Sequence, residues 1–207
     1  MDKEVNIHSE KLPVMEAFYT IQGEGYFAGK AAYFIRLGGC DVGCVWCDVK
    51  ESWPLEGHEE YSVDELVENA KLFPARLVVI TGGEPFMHNL SFLTKSLKEA
   101  GFQVNVETAG THPLTGEWDW ICLSPKKFGP ARQEYFDKAD EIKVIIYNKS
   151  DLSWATRFDS RINTSCRRFL QPEWSQREKM MPEVVEFVKA NPSWEISLQT
   201  HKYLDIP

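Results

Sequence analysis

Residues 32–47 read AYFIRLGGCDVGCVWC, the first clear strand-like run of the chain followed by three closely spaced cysteines. Residues 32–37 are rich in β-branched and aromatic side chains, and the glycine pair at 38–39 predicts that the strand ends there. Intervals of three and two residues separate the cysteines, which are Cys40, Cys44 and Cys47. Because parallel α/β folds build their sites at the carboxyl ends of strands, these cysteines mark a candidate site.

Six further strand-like runs follow, at 77–81, 103–107, 120–123, 141–147, 168–171 and 195–199. Three helices are predicted among them: one beginning at a Ser62–Glu65 capping box, one over 89–100, and one over 182–190 with Pro182 in its first turn. Many strands with few helices favour an α/β fold, an incomplete (β/α) barrel with about six core strands. A full eight-fold barrel typically needs about 250 residues, whereas this chain has 207. We expect a single domain over residues 1–207.

The composition excludes several classes of protein. Hydrophobic residues make up 43% and charged residues 26% of the chain, which excludes a disordered or collagen-like chain. The formal net charge is −8, and phosphate binding relies on clustered cations, so we expect no nucleic-acid partner. The apolar runs are far shorter than the roughly 20 residues that span a bilayer, and the first thirty residues show no leader pattern. We therefore expect no membrane partner and a cytoplasmic location.

The cysteine cluster predicts a metal centre rather than a set of disulfides. A structural zinc site has four protein ligands, so zinc would require His58 or a distant cysteine in addition. An electron-carrying 4Fe-4S cluster also usually has four cysteines, whereas three leave one iron open to a substrate. The spacing favours the open cluster and leaves zinc as the alternative. The other two cysteines, Cys122 and Cys166, are predicted to be core residues.

The spacing resembles the signature of the radical S-adenosylmethionine (SAM) superfamily, in which an aromatic residue such as Trp46 commonly precedes the last cysteine. The segment Gly82-Gly83-Glu84-Pro85 resembles the glycine-rich segment that holds the methionyl amino group there. The resemblance implies a 4Fe-4S cluster whose open iron binds SAM, and a reductive cleavage that yields a 5′-deoxyadenosyl radical. A small activase that takes hydrogen from a glycine of a partner protein is one alternative. A non-enzymatic metal-binding module is another.

Segments along nearly the whole chain resemble one family of that superfamily, the 7-carboxy-7-deazaguanine synthases of queuosine and deazapurine biosynthesis. The most discriminating segments are FYTIQGEG at 18–25 and QTHKYLDIP at 199–207; others are ETAGT at 107–111, SPK at 124–126 and EIK at 141–143. The family contracts a ring of 6-carboxy-5,6,7,8-tetrahydropterin, giving 7-carboxy-7-deazaguanine and ammonia, and is thus a carbon–nitrogen lyase. The resemblance also implies a homodimer and a flavodoxin- or ferredoxin-type reductant.

The resemblance implies substrate contacts from Ile21, Gln22, Gly23, Glu24, Arg36, Thr81, His201 and Pro207. Three of them are expected to be catalytic, namely Glu24, Arg36 and His201. Arg36 can form a bidentate ion pair with the carboxylate of the pterin. Glu24 can accept hydrogen bonds from the amidine-like edge of the pterin, or accept a proton during the loss of ammonia. His201 and the carboxylate of Pro207 are expected to close over the substrate. As alternatives, Arg36 pairs structurally with Glu24, Glu24 is a solvated turn residue, and His201 is a surface histidine.

The resemblance also implies SAM contacts from Trp46, Cys47, Asp48, Gly83, Ser124, Pro125, Lys126, Gln171, Pro172, Glu173 and Trp174. The alternative for residues 124–126 is a loop with an exposed lysine. The chain departs from the family at Val49, where a threonine oxygen usually helps to bind Mg²⁺. Mg²⁺ requires oxygen ligands, so Val49 predicts either binding without this ligand or a weaker dependence on the ion.

Overall fold

The computed structural model describes residues 11–207. Nine strands are present: β1 (Lys11–Ile21), β2 (Ala31–Leu37), β3 (Glu59–Ser62), β4 (Leu77–Gly82), β5 (Gln103–Thr108), β6 (Trp120–Leu123), β7 (Glu141–Ile146), β8 (Arg167–Pro172) and β9 (Glu195–Ile196). The α-helices are α1 (Val63–Lys71), α2 (Ser91–Glu99), α3 (Gln133–Lys138), α4 (Lys149–Ala155), α5 (Arg177–Ala190) and α6 (Thr200–Leu204). Residues 1–10 lie outside the described part of the chain. Two predictions concern them in part, namely the single domain over residues 1–207 and the lack of a leader pattern.

All nine strands belong to one sheet in the order β3-β1-β2-β4-β5-β6-β7-β8-β9. From β2 to β9 every neighbouring pair is parallel, while β1 runs antiparallel to both β2 and β3. The end strands β3 and β9 do not pair with each other, so the sheet stays open. The expected incomplete barrel is confirmed, with β2 and β4 to β8 as its main parallel strands.

The two faces of the sheet differ in chemistry because successive side chains of a strand point to opposite sides. On the outer face, residues such as Ile35, Ile80 and Val106 are fully buried in the main core, which also contains Leu66 of α1 and Leu97 of α2. On the inner face, a smaller apolar cluster lies toward the amino ends of the strands, made by Ala32, Phe34, Leu77 and Val79 with Phe18 and Phe27 packed against it. The inner face becomes polar toward the carboxyl ends.

The seven strands predicted from residue 32 onward are all present, but three details differ. The last strand covers only residues 195–196, because from Ser197 the chain leaves the sheet and enters α6. Pro182 lies inside α5, five residues after its first residue Arg177, and not in its first turn. The first strand of the described chain is β1, whose Pro13 and register shift between Val14 and Glu16 hide the period-2 pattern.

Three helical segments and one further strand were also missed by the sequence analysis: α3, α4, α6 and β3. These elements contain six, seven, five and four residues, too few to show a convincing period. A signal for α4 was present, because Asn148 and Asp151 form a capping box like the predicted one at Ser62 and Glu65, which is confirmed. None of the helices in the described chain is long and apolar enough to span a bilayer.

Candidate active site

A cavity of about 560 Å³ opens on the inner face, where the carboxyl ends of the parallel strands meet. One part of its wall contains the three clustered cysteines. Another part contains the 22–24 turn after β1, Arg36 of β2, Lys143 of β7 and residues of the C-terminal segment. The cavity therefore joins the predicted metal centre to the predicted substrate residues.

The cysteine loop folds back against the turn that follows β4. The backbone N–H of Cys47 donates to the carbonyl of Cys44 at 3.0 Å, and Gly43 takes a φ of 68° that favours glycine. A Cβ on Gly83 would lie 2.1 Å from the carbonyl oxygen of Gly39 and 2.7 Å from Cβ of Cys40. This approach requires glycine at position 83 and brings the predicted SAM segment against the first cysteine.

The three thiols lie close enough to influence one another. Burial raises the pKa of the Cys40 thiol, and the charge of Cys47 raises it further. Burial likewise raises the pKa of Cys44, against the charge of Lys126, which lowers it. Thiolate ligands need such a cationic neighbour or a metal to ionise at neutral pH.

The donor set fits a cluster better than a single ion. Within residues 11–207, no group of three His, Cys, Asp or Glu side chains forms a ready single-ion site, and a structural zinc site needs four protein ligands. The histidine of the zinc alternative is engaged in other contacts: Nε2 of His58 donates a 2.9 Å hydrogen bond to the carbonyl of Pro54, and its ring packs on Gly38. Three free cysteines around one cavity fit a 4Fe-4S cluster with an open iron.

The remaining cysteines differ from each other. Cys166 is 2% exposed and belongs to the main core, as predicted. Cys122 is 3% exposed but lies on the polar inner face, where burial and the charge of Glu141 raise its pKa well above the ordinary value. Neither thiol lines the cavity.

Glu84 of the Gly-Gly-Glu-Pro segment ties β4 to β5. Its carboxylate is 1% exposed and accepts hydrogen bonds from Oγ1 of Thr108 at 2.6 Å, from the N–H of Ala109 at 2.8 Å and from the N–H of Phe86 at 3.2 Å. Burial raises the pKa of Glu84 despite these bonds. The carboxylate is thus committed to the protein, and it is Gly83 beside it that lines the cavity.

Lys126 faces the cavity, so the alternative of an exposed lysine in a loose loop is wrong. Its Nζ donates to Oγ of Ser124 at 2.6 Å and to the carbonyl of Ser124 at 2.8 Å, and it lies 5.4 Å from the centroid of the Trp46 ring. Burial lowers the pKa of Lys126. A cation thus lies between the cysteines and the indole.

Beneath the substrate end of the cavity, two carboxylates share one buried lysine. Nζ of Lys143 donates to Oε2 of Glu107 at 2.7 Å and to Oε2 of Glu24. The other oxygens accept from amides: Nε2 of Gln22 donates to Oε1 of Glu107 and Nε2 of Gln199 donates to Oε1 of Glu24, both at 2.9 Å. Glu24 is therefore not a solvated turn residue.

The charge of the lysine decides the protonation of this network. Burial raises the pKa of Glu24, but the charge of Lys143 and hydrogen bonds from Lys143, Gln199 and Gln171 outweigh it, so the pKa falls from 4.5 to about 2. Burial opposes the charged form of Lys143, yet Glu107 and Glu24 raise its pKa well above 10.5. Glu24 and Lys143 therefore stay charged at neutral pH, which makes Glu24 a hydrogen-bond acceptor and a poor proton acceptor.

The C-terminal segment packs on the turn that carries Gly23. The N–H and Oγ1 of Thr200 both donate to the carbonyl of Gly23, at 2.9 and 3.0 Å. Burial lowers the pKa of His201 in spite of the nearby Glu24, so its imidazole is neutral at pH 7. Oγ1 of Thr20 donates to an oxygen of Pro207 at 3.2 Å. His201 is therefore half-buried against the turn and is not a surface histidine.

Arg36 pairs with a different carboxylate from the one considered in the sequence analysis. Its Nε donates to Oε1 of Glu16 at 2.7 Å, across the β1–β2 register, so the alternative pairing with Glu24 is wrong. The side chain is 18% exposed and lines the cavity. The hydrogen bond from Nε to Glu16 thus orients the guanidinium group. Its other N–H donors remain available to a ligand in the cavity.

Asp48 and Val49 lie beside Lys202. Nζ of Lys202 donates to Oδ2 of Asp48 at 2.7 Å, and Val49 contributes only hydrocarbon to the wall. Since Mg²⁺ requires oxygen ligands, position 49 does not fit the ion. The carboxylate of Asp48 thus forms an ion pair with Lys202.

Nearly all the residues expected from the sequence line this cavity. They are Ile21, Gln22, Gly23, Glu24, Arg36, Cys40, Cys44, Trp46, Cys47, Asp48, Thr81, Gly83, Ser124, Lys126, Gln171, Glu173, Trp174, His201 and Pro207. Pro125 and Pro172 do not line it, although each follows a residue that does. The sequence analysis missed Glu107, Lys143, Gln199 and Lys202. A signal existed for Lys143, because the strand EIKVII at 141–146 places a lysine between the apolar residues Ile142 and Val144.

Comparisons with known proteins agree with this geometry. Residues 34–126 match the family described as the radical SAM superfamily. A 7-carboxy-7-deazaguanine synthase of Flavobacterium psychrophilum is 53% identical over 210 residues, which cover 100% of both chains. The protein of that name in Escherichia coli K12 is 35% identical over 94% of this chain and 98% of its own. A crystal structure described as QueE from Escherichia coli superposes with a TM-score of 0.83 at 31% identity, covering 95% of this chain and 98% of that one.

Proposed function

Because this chain belongs to the 7-carboxy-7-deazaguanine synthase family of radical SAM enzymes, we propose that its cavity carries out that family's reaction. The enzyme contracts the ring of 6-carboxy-5,6,7,8-tetrahydropterin to 7-carboxy-7-deazaguanine and releases ammonia, a step in queuosine precursor biosynthesis. The observation that supports this function most directly is one cavity lined both by three free cysteines and by Arg36, Glu24 and Gln22.

The cysteine end of the cavity would hold the cofactors. Cys40, Cys44 and Cys47 would ligate the cluster, and Gly83, which packs against Cys40 and lines the cavity, would contact the methionyl part of SAM. When bound, the cluster and SAM supply one-electron chemistry that ends in removal of a hydrogen atom from C6 of the pterin. Ser124, Lys126 and Trp46 would position SAM from the opposite wall, with Asp48, Gln171, Glu173 and Trp174 as further proposed contacts.

The other end of the cavity would recognise both ends of the pterin. Arg36, oriented by Glu16, would form the bidentate pair with the substrate carboxylate. Glu24 and Glu107 are acceptors, and a pterin presents adjacent N–H donors on its pyrimidine ring. His201 and Pro207, together with Ile21, Gly23 and Thr81, would enclose the ring. The fixed charges at the two ends would set one orientation of the substrate.

The side chains at positions 48 and 49 do not favour the binding of Mg²⁺. The side chain of Val49 has no oxygen, its carbonyl oxygen accepts from Ser52, and Asp48 accepts a hydrogen bond from Lys202. We propose that the substrate carboxylate is neutralised by Arg36 and neighbouring cations of the protein. A homodimer, a flavodoxin- or ferredoxin-type reductant and a cytoplasmic location belong to the same proposal and rest on the family resemblance.

Anaerobic turnover tests the function directly. The reconstituted protein would be incubated with SAM, a one-electron reductant and 6-carboxytetrahydropterin, and the product identified by mass spectrometry. We expect 7-carboxy-7-deazaguanine from the unmodified protein and from Cys166→Ala, whose cysteine lies in the core, and none from Cys44→Ala. SAM cleavage without the deazaguanine would support the protein-directed activase, and a protein that neither binds iron nor cleaves SAM would support the non-enzymatic module.

A further inference from the structure

Lys143 is the least exposed charged side chain at the cavity. It lies in β7 between Ile142 and Val144, which point to the opposite face of the sheet and are fully buried in the main core. Its own side chain is 2% exposed on the inner face. A buried lysine is costly unless it is paired and hydrogen-bonded, so this cation is retained only because its partners compensate for its burial.

Those partners are two carboxylates from distant parts of the sequence. Glu24 lies 119 residues away and Glu107 lies 36 residues away, and both accept from the same Nζ. One positive charge faces two negative charges, so the group carries a net charge of −1. The amides of Gln22 and Gln199 bond to the outer oxygens at 2.9 Å and fix how each carboxylate is turned.

We propose that Lys143 is a positioning residue that keeps Glu24 and Glu107 both ionised and at a fixed spacing, so that together they accept the adjacent N–H donors of the bound ligand. The inference rests on the proposed function, since it takes the pterin as the ligand. The ammonium of Lys143 has no lone pair with which to accept an N–H group of the ligand, so in this role it acts through the two carboxylates.

The physical reason is the behaviour of two neighbouring carboxylates without a cation. Two like charges that share a buried site cannot both ionise, so one pKa rises strongly and one group takes up a proton. A protonated carboxyl group presents an O–H donor where the ligand also presents a donor. Removal of Lys143 would therefore turn one acceptor into a donor below that raised pKa, and binding would become dependent on pH.

Other charged and titratable groups also face this site. They are Glu141 on β7 itself, Cys122 on β6, Lys126 in the loop after β6, Asp48 after the cysteine loop, and His201 and Lys202 on α6. Burial lowers the pKa of His201. The titration of His201 and that of the ligand affect binding in the unmodified protein and in every variant. We therefore compare the ratio of the two dissociation constants, in which these two contributions to the pH dependence cancel.

The test uses the reconstituted protein with SAM and no reductant, and 6-carboxypterin as a non-reacting probe. Dissociation constants would be measured from pH 5.5 to pH 8 for the unmodified protein, Lys143→Met, and the control Lys71→Met, whose lysine pairs with Glu68 on the surface. We expect Lys143→Met to bind on the order of 10- to 100-fold more weakly at pH 5.5, the effect of one lost hydrogen bond to a charged group. The ratio should fall as the pH rises, while Lys71→Met should match the unmodified protein throughout.

A ratio that stays constant across this pH range would mean that the lysine only supports packing, and it would overturn the inference, as would unchanged binding. If the unmodified protein binds no 6-carboxypterin and makes no deazaguanine, the proposed function fails, and the inference fails with it. If the unmodified protein binds 6-carboxypterin tightly and the ratio of dissociation constants for Lys143→Met stays constant with pH, the inference about Lys143 is wrong but the proposed function stands.

Thermal melting provides a second measurement that does not need the ligand. Lys143→Met should melt at a lower temperature as the pH rises from 5 to 8, because ionising the second carboxylate becomes more costly without its cation. Adding Glu107→Gln to that variant removes one of the two carboxylates and should restore both the melting temperature and its independence of pH. If neither variant folds at any pH, the role of Lys143 is structural and the inference is wrong.

Discussion

His201 lies directly against Gly23: a Cβ on Gly23 would be 2.2 Å from Nδ1 of the imidazole and 2.8 Å from the backbone nitrogen of His201. The contact joins the turn after β1 to α6, where Thr200 also donates two hydrogen bonds to the carbonyl of Gly23. The placement of the histidine at the cavity therefore depends on a residue 178 positions earlier that has no side chain.

Gly23→Ala should displace α6 from the turn. We expect binding of 6-carboxypterin to weaken by about tenfold or more, because overpacking typically costs about 1–3 kcal/mol. In a His201→Ala background the same change should cost less, since the clash with the imidazole is absent. A double-mutant cycle on the dissociation constant measures this difference. Equal costs in both backgrounds would show that the imidazole is not what the new methyl group meets.

Gly83→Ala should impair assembly of the cluster. The added Cβ would lie 2.1 Å from the carbonyl oxygen of Gly39, a backbone atom that cannot move without shifting Cys40. We expect iron and sulfide content to fall strongly after anaerobic reconstitution. Val45→Ala is the control, because Val45 lies in the cysteine loop between Cys44 and Cys47 but is 68% exposed, and this variant should keep its full iron content. Normal iron content in Gly83→Ala would contradict the packing argument.

Glu24 should contribute stability that depends on pH. Burial alone would raise the pKa of Glu24, but Lys143 outweighs it and lowers the pKa from 4.5 to about 2. A carboxylate with a depressed folded pKa stabilises the protein above its unfolded pKa, and this stability is lost as the pH falls toward the folded value. Glu24→Gln should therefore cost about 1–3 kcal/mol at pH 7 and clearly less at pH 3. Urea unfolding at the two pH values measures the loss of free energy of unfolding in each case. Equal losses at pH 7 and pH 3 would contradict the lowered pKa of Glu24.

Arg36→Lys should weaken binding of carboxylated pterins. A lysine cannot reproduce the planar fork that Glu16 orients in the present structure. We expect about a tenfold or greater loss of affinity for 6-carboxypterin and little change for pterin without the carboxylate. The comparison of the two ligands is the control, and an equal loss for both would place the carboxylate elsewhere in the cavity.

Val49→Thr should create a response to Mg²⁺. The unmodified protein has no side-chain oxygen at position 49, so we expect its turnover to be nearly the same with Mg²⁺ and with a chelator. The threonine variant restores a hydroxyl and should be activated by the ion. Strong activation of the unmodified protein by Mg²⁺ would refute its independence.

The sequence by itself determined the features that depend on local spacing. The intervals between Cys40, Cys44 and Cys47 specify three thiols in one loop, and the Ser62–Glu65 capping box specifies where α1 begins. Short runs rich in apolar and β-branched residues identified the parallel strands, because strands that are buried on both faces are apolar along nearly their whole length. Strands and helices of four to seven residues, such as β3 and α4, were missed because so short a segment shows no reliable period.

Only the tertiary structure decided which distant side chains pair. Lys143 meets Glu24 across 119 residues, and Arg36 pairs with Glu16 on the neighbouring strand and not with Glu24. Glu84 was predicted from the sequence to lie in a ligand-binding segment. Both of its carboxylate oxygens instead accept hydrogen bonds that link β4 to the end of β5. Such pairings follow from the register and curvature of the whole sheet, in which residues far apart along the chain reach the same edge and compete for the same hydrogen bonds.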